Sequence, residues 1–417
     1  MNVGKCMSYL RTTCRLCKST DMIKFLSLGK TPLANSYLKP EELKIPEPSY
    51  PLETYFCQDC GLVQLLDIIP GEVLFRNYLY ISSTAPSYIE HFTKYAQDIV
   101  KRFDLTDESF VIEFGSNDGI LLKPLKNLGI KTLGVDPAEN IAKIAESDGI
   151  ETFVDFFTED NAKIILEKYG PADIITSANV FAHIDDLDDV LRGVSVLLKD
   201  DGIFVAEATY MVNMLEKKYF DLIYHEHVSY YCIRPLQRFF EKFDMEIFDV
   251  EDISTAGGSI RVYAKRKIGK HNINESVSNH LALETKLKMD QAVTYKNYGN
   301  EIEKCKSEIM KLLIQLKDDG KTIVGYGAAA KGNTLLNYFG IGPDILDYVV
   351  DIAEIKHGLF TPGKHIPILP TEKIDEDNPD YVLILAWNFA DDIMKKHEQY
   401  RANGGKFIIP LPEIDIK

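Results

Sequence analysis

The densest run of chemically capable side chains in this 417-residue chain is Tyr224-His225-Glu226-His227, inside a segment that runs from Asp221 to Tyr231. Four phenolic or ionisable groups in a row are costly to bury without a use. A histidine beside a carboxylate suits general-base work near neutral pH. If the segment is extended, His225 and His227 share one face and Tyr224 and Glu226 the other. The spacing is not His-Glu-x-x-His, so a catalytic zinc on one helix face is disfavoured. A polar loop with hydrogen-bonded histidines is the plainer alternative. A second set is Cys14-Arg-Leu-Cys17 with Cys57-Gln-Asp-Cys60. Each Cys-x-x-Cys turn brings two thiolates to one side, and two turns supply the tetrahedral sulfur set that zinc prefers. Such a site keeps no open coordination position, so it is read as structural; unligated thiols or redox pairs are the alternatives. Cys6, Cys232 and Cys305 follow no pattern.

The elements that must position these groups start with Phe110-Val-Ile-Glu113-Phe-Gly115-Ser-Asn117-Asp118-Gly119, followed by Ile-Leu-Leu. This is a strand, a glycine loop and a helix start, the first half of a nucleotide-binding α/β sheet. The loop resembles motif I of class I S-adenosylmethionine (SAM) methyltransferases, with Asn117 where the usual middle glycine stands. Strands then alternate with helices. Strand 131–135 ends at Asp136, placed for ribose hydroxyls. Strand 152–154 leads to Asp155 and Phe156, an acid for an adenine amino group and an aromatic to pack on the ring. Strand 172–176 leads to Asn179 and His183, and strand 202–206 ends at Glu207. Ligands of such sheets sit at the carboxyl ends of the strands. Glu113, Gly115, Asn117, Asp118, Asp136, Asp155, Phe156 and Asn179 are therefore the expected cofactor-binding set. Asp136 and Asp155 also suit simple helix capping. His183 is either a structural, hydrogen-bonded group or part of the site. Tyr78 and Tyr80, at alternate positions before a predicted helix over 86–102, face either a ligand or the packed interior.

Beyond the core, a glycine bend at 256–258 precedes a last strand carrying Arg261, which reads equally as an anion contact or a solvated strand residue. Residues 273–316 have helical period and form a connector. Then Gly325-Tyr-Gly327-Ala-Ala-Ala-Lys331-Gly-Asn333-Thr opens a second strand–glycine loop–helix. Lys331 at the helix start is placed to neutralise a phosphate. Retention of this unit as scaffold alone is the other reading.

Taken in order, the paired cysteines, the SAM-type core, Tyr224-His-Glu-His-Val-Ser-Tyr-Tyr231 and Gly325-Tyr-Gly-Ala-Ala-Ala-Lys-Gly-Asn-Thr334 closely resemble the nucleotide-sugar C-methyltransferases of deoxysugar biosynthesis, of the tetronitrose and mycarose 3-C type. The resemblance covers nearly the whole chain. It implies an α/β protein in three parts: an N-terminal zinc-knuckle domain (10–78), a class I SAM-methyltransferase Rossmann-like core (79–268) and a smaller Rossmann-like C-terminal domain (269–417) behind the helical connector. It implies a nucleotide-diphospho-4-ketohexose substrate: a base removes the proton next to the ketone, and the enolate takes the SAM methyl. Carried onto matching positions, His227 is the general base, Glu226 and Tyr224 orient the sugar, and Tyr78 and His183 stand near the hexose. Tyr80, His225, Lys331 and Asn333 are expected on the substrate. SAM and a structural zinc on Cys14, Cys17, Cys57 and Cys60 are the expected cofactors. The rival chemistries are methylation at another carbon or on oxygen, and, in another class, a dinucleotide-dependent sugar oxidoreductase using the C-terminal glycine loop.

A formal net charge of −16 disfavours nucleic acid and anionic membranes as partners. No apolar run approaches the ~20 residues of a membrane span, and the first residues lack a signal-peptide core. A cytoplasmic monomer is the expectation.

Overall fold

The computed structural model describes residues 8–76, 78, 80–84, 86–253 and 258–417. Cys6 and most of the predicted bend at 256–258 lie outside them.

The N-terminal unit holds β1 (Tyr9–Leu10), β2 (Met22–Thr31), β3 (Tyr50–Cys57), β4 (Val63–Leu65) and β5 (Asp67–Ile68). Residues of β3 alternate between buried and half-buried along Tyr50–Tyr55, as one covered face requires. The middle unit holds β6 (Phe110–Phe114), β7 (Lys131–Val135), β8 (Thr152–Phe153), β9 (Ala172–Ala178), β10 (Leu198–Thr209), β11 (Ser229–Tyr230), β12 (Met245–Ile253) and β13 (Ser259–Arg266). Seven of these eight form one sheet in the order β12-β13-β10-β9-β6-β7-β8. β6 to β10 run parallel, and β13 is antiparallel to both its neighbours. Val111 and Ile112 in β6, Ile174 and Ile175 in β9, and Phe204 and Val205 in β10 are all buried. Consecutive buried residues mean that helices cover both sheet faces, which parallel strands demand. One of these helices is Pro86–Arg102, which buries Phe92, Tyr95, Ala96 and Ile99 as a single stripe at helical spacing. This strand order, with one reversed strand, is that of the class I SAM methyltransferases. The order reverses between β6 and β9, so the ligand crevice opens beyond their carboxyl ends.

β11 does not join that sheet. It pairs antiparallel with β4 and completes the N-terminal sheet, β11-β4-β3-β2. The Tyr224–His227 segment, just before β11, is thereby anchored to the cysteine-bearing unit. Nothing local in the sequence announces this, because the pairing partner lies over 160 residues away.

Helices Glu275–Lys286 and Ala292–Asp318 make the connector. The longer one lies so close to β2 that a Cβ on Gly299 would stand 2.6 Å from the Phe25 carbonyl oxygen. The C-terminal unit holds β14 (Ile323–Tyr326), β15 (Val349–Asp351), β16 (Ile368–Pro370), β17 (Tyr381–Ile384), β18 (Lys406–Ile409) and β19 (Asp415–Ile416). Their order, β16-β15-β14-β17-β18-β19, places a second switch point between β14 and β17.

Candidate active site and zinc centre

The Tyr224–His227 segment is a turn, not a strand: the His227 N–H donates to the Tyr224 carbonyl at 2.9 Å. The face alternation expected of an extended chain therefore fails. The turn folds Tyr224 back onto His227, with ring centroids 4.0 Å apart and the phenol oxygen 2.8 Å from Nε2. The other ring nitrogen, Nδ1, meets the Leu222 carbonyl at 2.8 Å. A carbonyl only accepts, so Nδ1 carries the proton and Nε2 the lone pair, which receives the Tyr224 O–H. Burial pushes the His227 pKa down to about 4, against the backbone carbonyl that favours the cation. The imidazole is thus a neutral base at ordinary pH. The profile of kcat/KM against pH should accordingly lack a limb near 6.5 and fall only at lower pH, where His227 takes up a proton. A limb at the ordinary histidine value would mean a solvated imidazole.

Glu226 is buried and its carboxylate takes two donors, Asn35 Nδ2 at 2.7 Å and the Tyr78 hydroxyl at 2.9 Å. Burial raises its pKa, and the two donors pull back. His183 stacks between Phe75 and His227, with centroid distances of 5.5 and 5.0 Å. Its Nε2 is buried and meets no hydrogen-bond partner among the described residues, and burial holds the ring neutral. These observations join Tyr78, His183, Tyr224, Glu226 and His227 at one place. His225 is a correction to the expected substrate set. It points the opposite way, with Nε2 3.2 Å from the Pro51 carbonyl and its ring edge-on to Tyr50, and so pins the turn to the N-terminal sheet.

The motif I loop fits a cationic, hydroxyl-bearing donor. Glu113 Oε2 and Asp118 Oδ1 are buried carboxylate oxygens without hydrogen-bond partners among the described residues. Burial first, then Asp136, Asp118 and Glu207, drives the Glu113 pKa well up, a cost that a bound positive charge would relieve. Gly115 turns at φ +66, and a Cβ there would strike Val180 at 2.3 Å. Asn117 adopts φ 50, the left-handed region that asparagine tolerates, so it replaces a glycine without breaking the turn. Its side chain holds another segment: Oδ1 accepts from the Ser82 N–H at 2.9 Å and Nδ2 donates to the Tyr80 carbonyl at 3.1 Å. Asp136 accepts the Asn117 and Ala138 N–H groups at 2.8 and 2.9 Å. Asp155 pairs with Arg76 at 3.0 Å, and that guanidinium lies 4.7 Å above the Phe156 ring. Asn179, at φ 58, closes the β9 end with its N–H on the Glu207 carbonyl. Tyr80 is 46% exposed at the mouth.

The four expected thiols converge, all within 4.8 Å of one another. Cys14 to Cys60 is 3.5 Å and Cys17 to Cys57 is 3.4 Å. An S4 tetrahedron with zinc–sulfur bonds of about 2.3 Å has edges of roughly 3.8 Å, so these residues fit the ion. The two turns are built alike: the Lys18 N–H donates to the Cys14 carbonyl at 3.0 Å, and the Gly61 N–H to the Cys57 carbonyl at 2.9 Å. Arg15, inside the first turn and fully buried, reaches out of the metal centre. It donates from Nη1 to the Val228 carbonyl at 2.8 Å and from Nε to Asp185 at 3.0 Å. Sequence reasoning missed Arg15 and Asn35, whose partners lie 213 and 191 positions away.

Arg261 is not solvated, and the anion that it contacts is the protein's own Glu207. It is buried, forks onto Glu207 at 2.8 and 3.1 Å, and lies 3.5 Å over Tyr95. Lys331 and Asn333 are spent in the seam between units. The Lys331 ammonium bonds Asn388 and sits 4.4 Å over Trp387, while the buried Asn333 donates to the Ala34 carbonyl at 2.7 Å. The Trp387 N–H in turn donates to the buried Asp221 at 2.6 Å. At the C-terminal glycine loop, the Ala328 carbonyl takes both the Tyr37 hydroxyl at 2.5 Å and the Lys356 ammonium at 2.8 Å.

Three family models match the chain: a zinc binding domain over residues 14–75, a methyltransferase domain over 88–250 and a C-methyltransferase C-terminal domain over 254–412. The C-methyltransferase NovU of Streptomyces niveus is 38% identical over 400 residues, 96% of this chain and 95% of that protein. A ubiquinone biosynthesis O-methyltransferase of Bordetella avium is 30% identical over 94 residues, 22% of this chain and 39% of that protein. Among solved structures, magnesium protoporphyrin IX methyltransferase (ChlM) from Synechocystis PCC 6803 with bound SAH is similar with a TM-score of 0.35 and 15% identity, over 43% of this chain and 84% of that one.

Proposed function

The chain belongs to the C-methyltransferase family that includes NovU, a family of SAM-dependent enzymes, and from that premise we propose that its acceptor is a nucleotide-diphospho-4-ketohexose methylated on the carbon next to the ketone. The observation that carries this reading is the Tyr224–His227 pair, a neutral imidazole with its basic nitrogen held 2.8 Å from a phenol beside the unpartnered His183. A hydroxyl acceptor would need its own O–H proton removed and no more. A carbon acceptor needs a base for a C–H bond and a donor for the oxygen that becomes negative, and the site holds both.

When bound, SAM supplies an electrophilic methyl group. Glu113, Gly115, Asn117, Asp118, Asp136, Asp155, Phe156 and Asn179 line its pocket beyond β6 and β9. The Tyr224–His227 pair accepts the proton from the α-carbon, and His227 Nε2 ends with it; the Leu222 carbonyl then stabilises the imidazolium through Nδ1. His183, in its Nε2–H form, donates to the developing enolate oxygen. Glu226, fixed by Asn35 and Tyr78, orients the hexose hydroxyls. Exposed Tyr80 borders the nucleotide portion. Zinc holds structure and takes no step.

The reading is tested by mass spectrometry of products formed with SAM and a panel of nucleotide-4-ketohexoses, with the methyl position located by fragmentation. Transfer to carbon next to the ketone is expected. Methylation only on oxygen, or no transfer to any member while S-adenosylhomocysteine still raises the melting temperature, would remove this acceptor class. A melting shift with NAD in place of S-adenosylhomocysteine would remove the methyl donor as well.

A further inference from the structure

Tyr78 reaches the acceptor side of the site, and the nearby residues 80–84 lie against the motif I loop. They are tied to that loop at three points. Ser82 and Ser83 donate to Asn117 and Asp118, and the Tyr80 carbonyl accepts from Asn117. Among the described residues, the Tyr78 backbone is held by Asn140. Asn140 Oδ1 accepts the Tyr78 N–H at 3.2 Å, and Asn140 Nδ2 donates to the Tyr78 carbonyl at 2.7 Å. Asn140 stands in the first turn of helix Glu139–Ser147, directly after the Asp136 loop. At the far end of the same tyrosine, the hydroxyl donates to Glu226 at 2.9 Å.

We propose that Asn140 is a positioning residue for acceptor recognition, acting through Tyr78 from the methyl-donor side of the enzyme. An amide that bonds both the N–H and the carbonyl of one residue fixes the two peptide planes flanking its Cα. It thereby fixes the direction of the Cα–Cβ bond. A swing of about 10° there moves a tyrosine hydroxyl by roughly 1 Å, enough to matter to a bound reactant. Only an amide can do this in place: it needs one acceptor and one donor in fixed geometry. Aspartate lacks the donor, and alanine lacks both. The consequence is that the residue following the ribose-side loop helps to decide how Glu226 is presented to the sugar, so donor-pocket order and acceptor binding share one strut.

The inference rests on the reading of Tyr78 as an acceptor-side group, and a double-mutant cycle separates the two. Asn140→Ala, Tyr78→Phe and the double variant are assayed with saturating SAM and varied acceptor, alongside S-adenosylhomocysteine affinity and melting temperature. Asn140→Ala is expected to lower kcat/KM for the acceptor about tenfold, the loss of two modest hydrogen bonds, and to leave S-adenosylhomocysteine affinity within about twofold. In the Tyr78→Phe background it should add little. Asn140→Asp should resemble Asn140→Ala and serves if the alanine variant melts early. Full additivity of the two losses, or a fall in donor affinity that accounts for the whole effect, overturns the inference while leaving Tyr78 in the site. A Tyr78→Phe enzyme with unchanged acceptor kinetics overturns the underlying reading instead.

Discussion

His227→Ala is expected to lower kcat by about 100- to 10,000-fold, the range that a positioned general base contributes, while S-adenosylhomocysteine binds as before. The separation follows from the geometry. His227 bonds only to Tyr224 and Leu222 among the described side-chain contacts, and neither belongs to the motif I loop. The substitution removes the atom that receives the proton but touches no wall of the donor pocket. The same variant should lose exchange of the substrate α-proton with deuterated solvent in the absence of methyl transfer, because exchange needs the base and not the methyl. Unchanged exchange would take His227 out of the base role and leave Tyr224 to be tested alone. Tyr224→Phe should cost less, since Nε2 remains, now without its phenol partner.

The second large effect is expected at the metal. Cys57→Ser, or removal of zinc by a strong chelator, should abolish the stoichiometric zinc and bring down the melting of the N-terminal unit as a separate, earlier transition. Activity should fall on the order of 100-fold or more, although no cysteine approaches the reacting carbon. The link is Arg15. Fully buried, it is held by the first cysteine turn and braces the Val228 carbonyl, one residue past His227, and Asp185, two residues past His183. A charge-assisted bond of this kind is worth roughly 1.5–3 kcal/mol, and a buried guanidinium left without its acceptors costs at least as much again. Releasing Arg15 therefore frees the loops that carry His183 and His227. Asn35, which leaves the same unit to hold Glu226, goes with it. Zinc content measured against turnover across a chelator titration checks this. Full activity in the zinc-free protein would show that the N-terminal unit and the catalytic loops are uncoupled.

Much of the architecture was legible because its signals are local. The helix over 86–102, strand 131–135 and the glycine loop after β6 each depend on runs of side chains whose period and turn residues lie within one element. The cysteine pairs are equally local, since metal geometry dictates their spacing and their doubling. The strand at 229–230 was not legible, nor were Asn35, Asn140 and Arg15, because each acts on a partner brought close only by packing. The C-terminal glycine loop shows the same limit from the other side. Its sequence promises an anion site, but a switch-point crevice is only open if nothing else in the chain fills it. Here the Ala328 carbonyl of that loop is taken by Tyr37 and Lys356, and Trp387 bonds Asp221, three residues before Tyr224.

By itself the sequence determined the chemistry on offer: a thiolate set for zinc, an acid-lined glycine loop for a nucleotide-type ligand, and a tyrosine–histidine–glutamate run suited to general-base work. Those depend on residue type and near-neighbour spacing. Only the tertiary structure decided which atoms of that run face one another. A two-strand pairing to the N-terminal sheet follows the turn at Tyr224–His227, in which His225 meets the Pro51 carbonyl, the basic nitrogen of His227 faces the Tyr224 hydroxyl, and Glu226 is fixed by groups from two other parts of the chain. The physical reason is that a side chain's direction in a loop is set by the hydrogen bonds its backbone finds, and here those partners are distant in sequence.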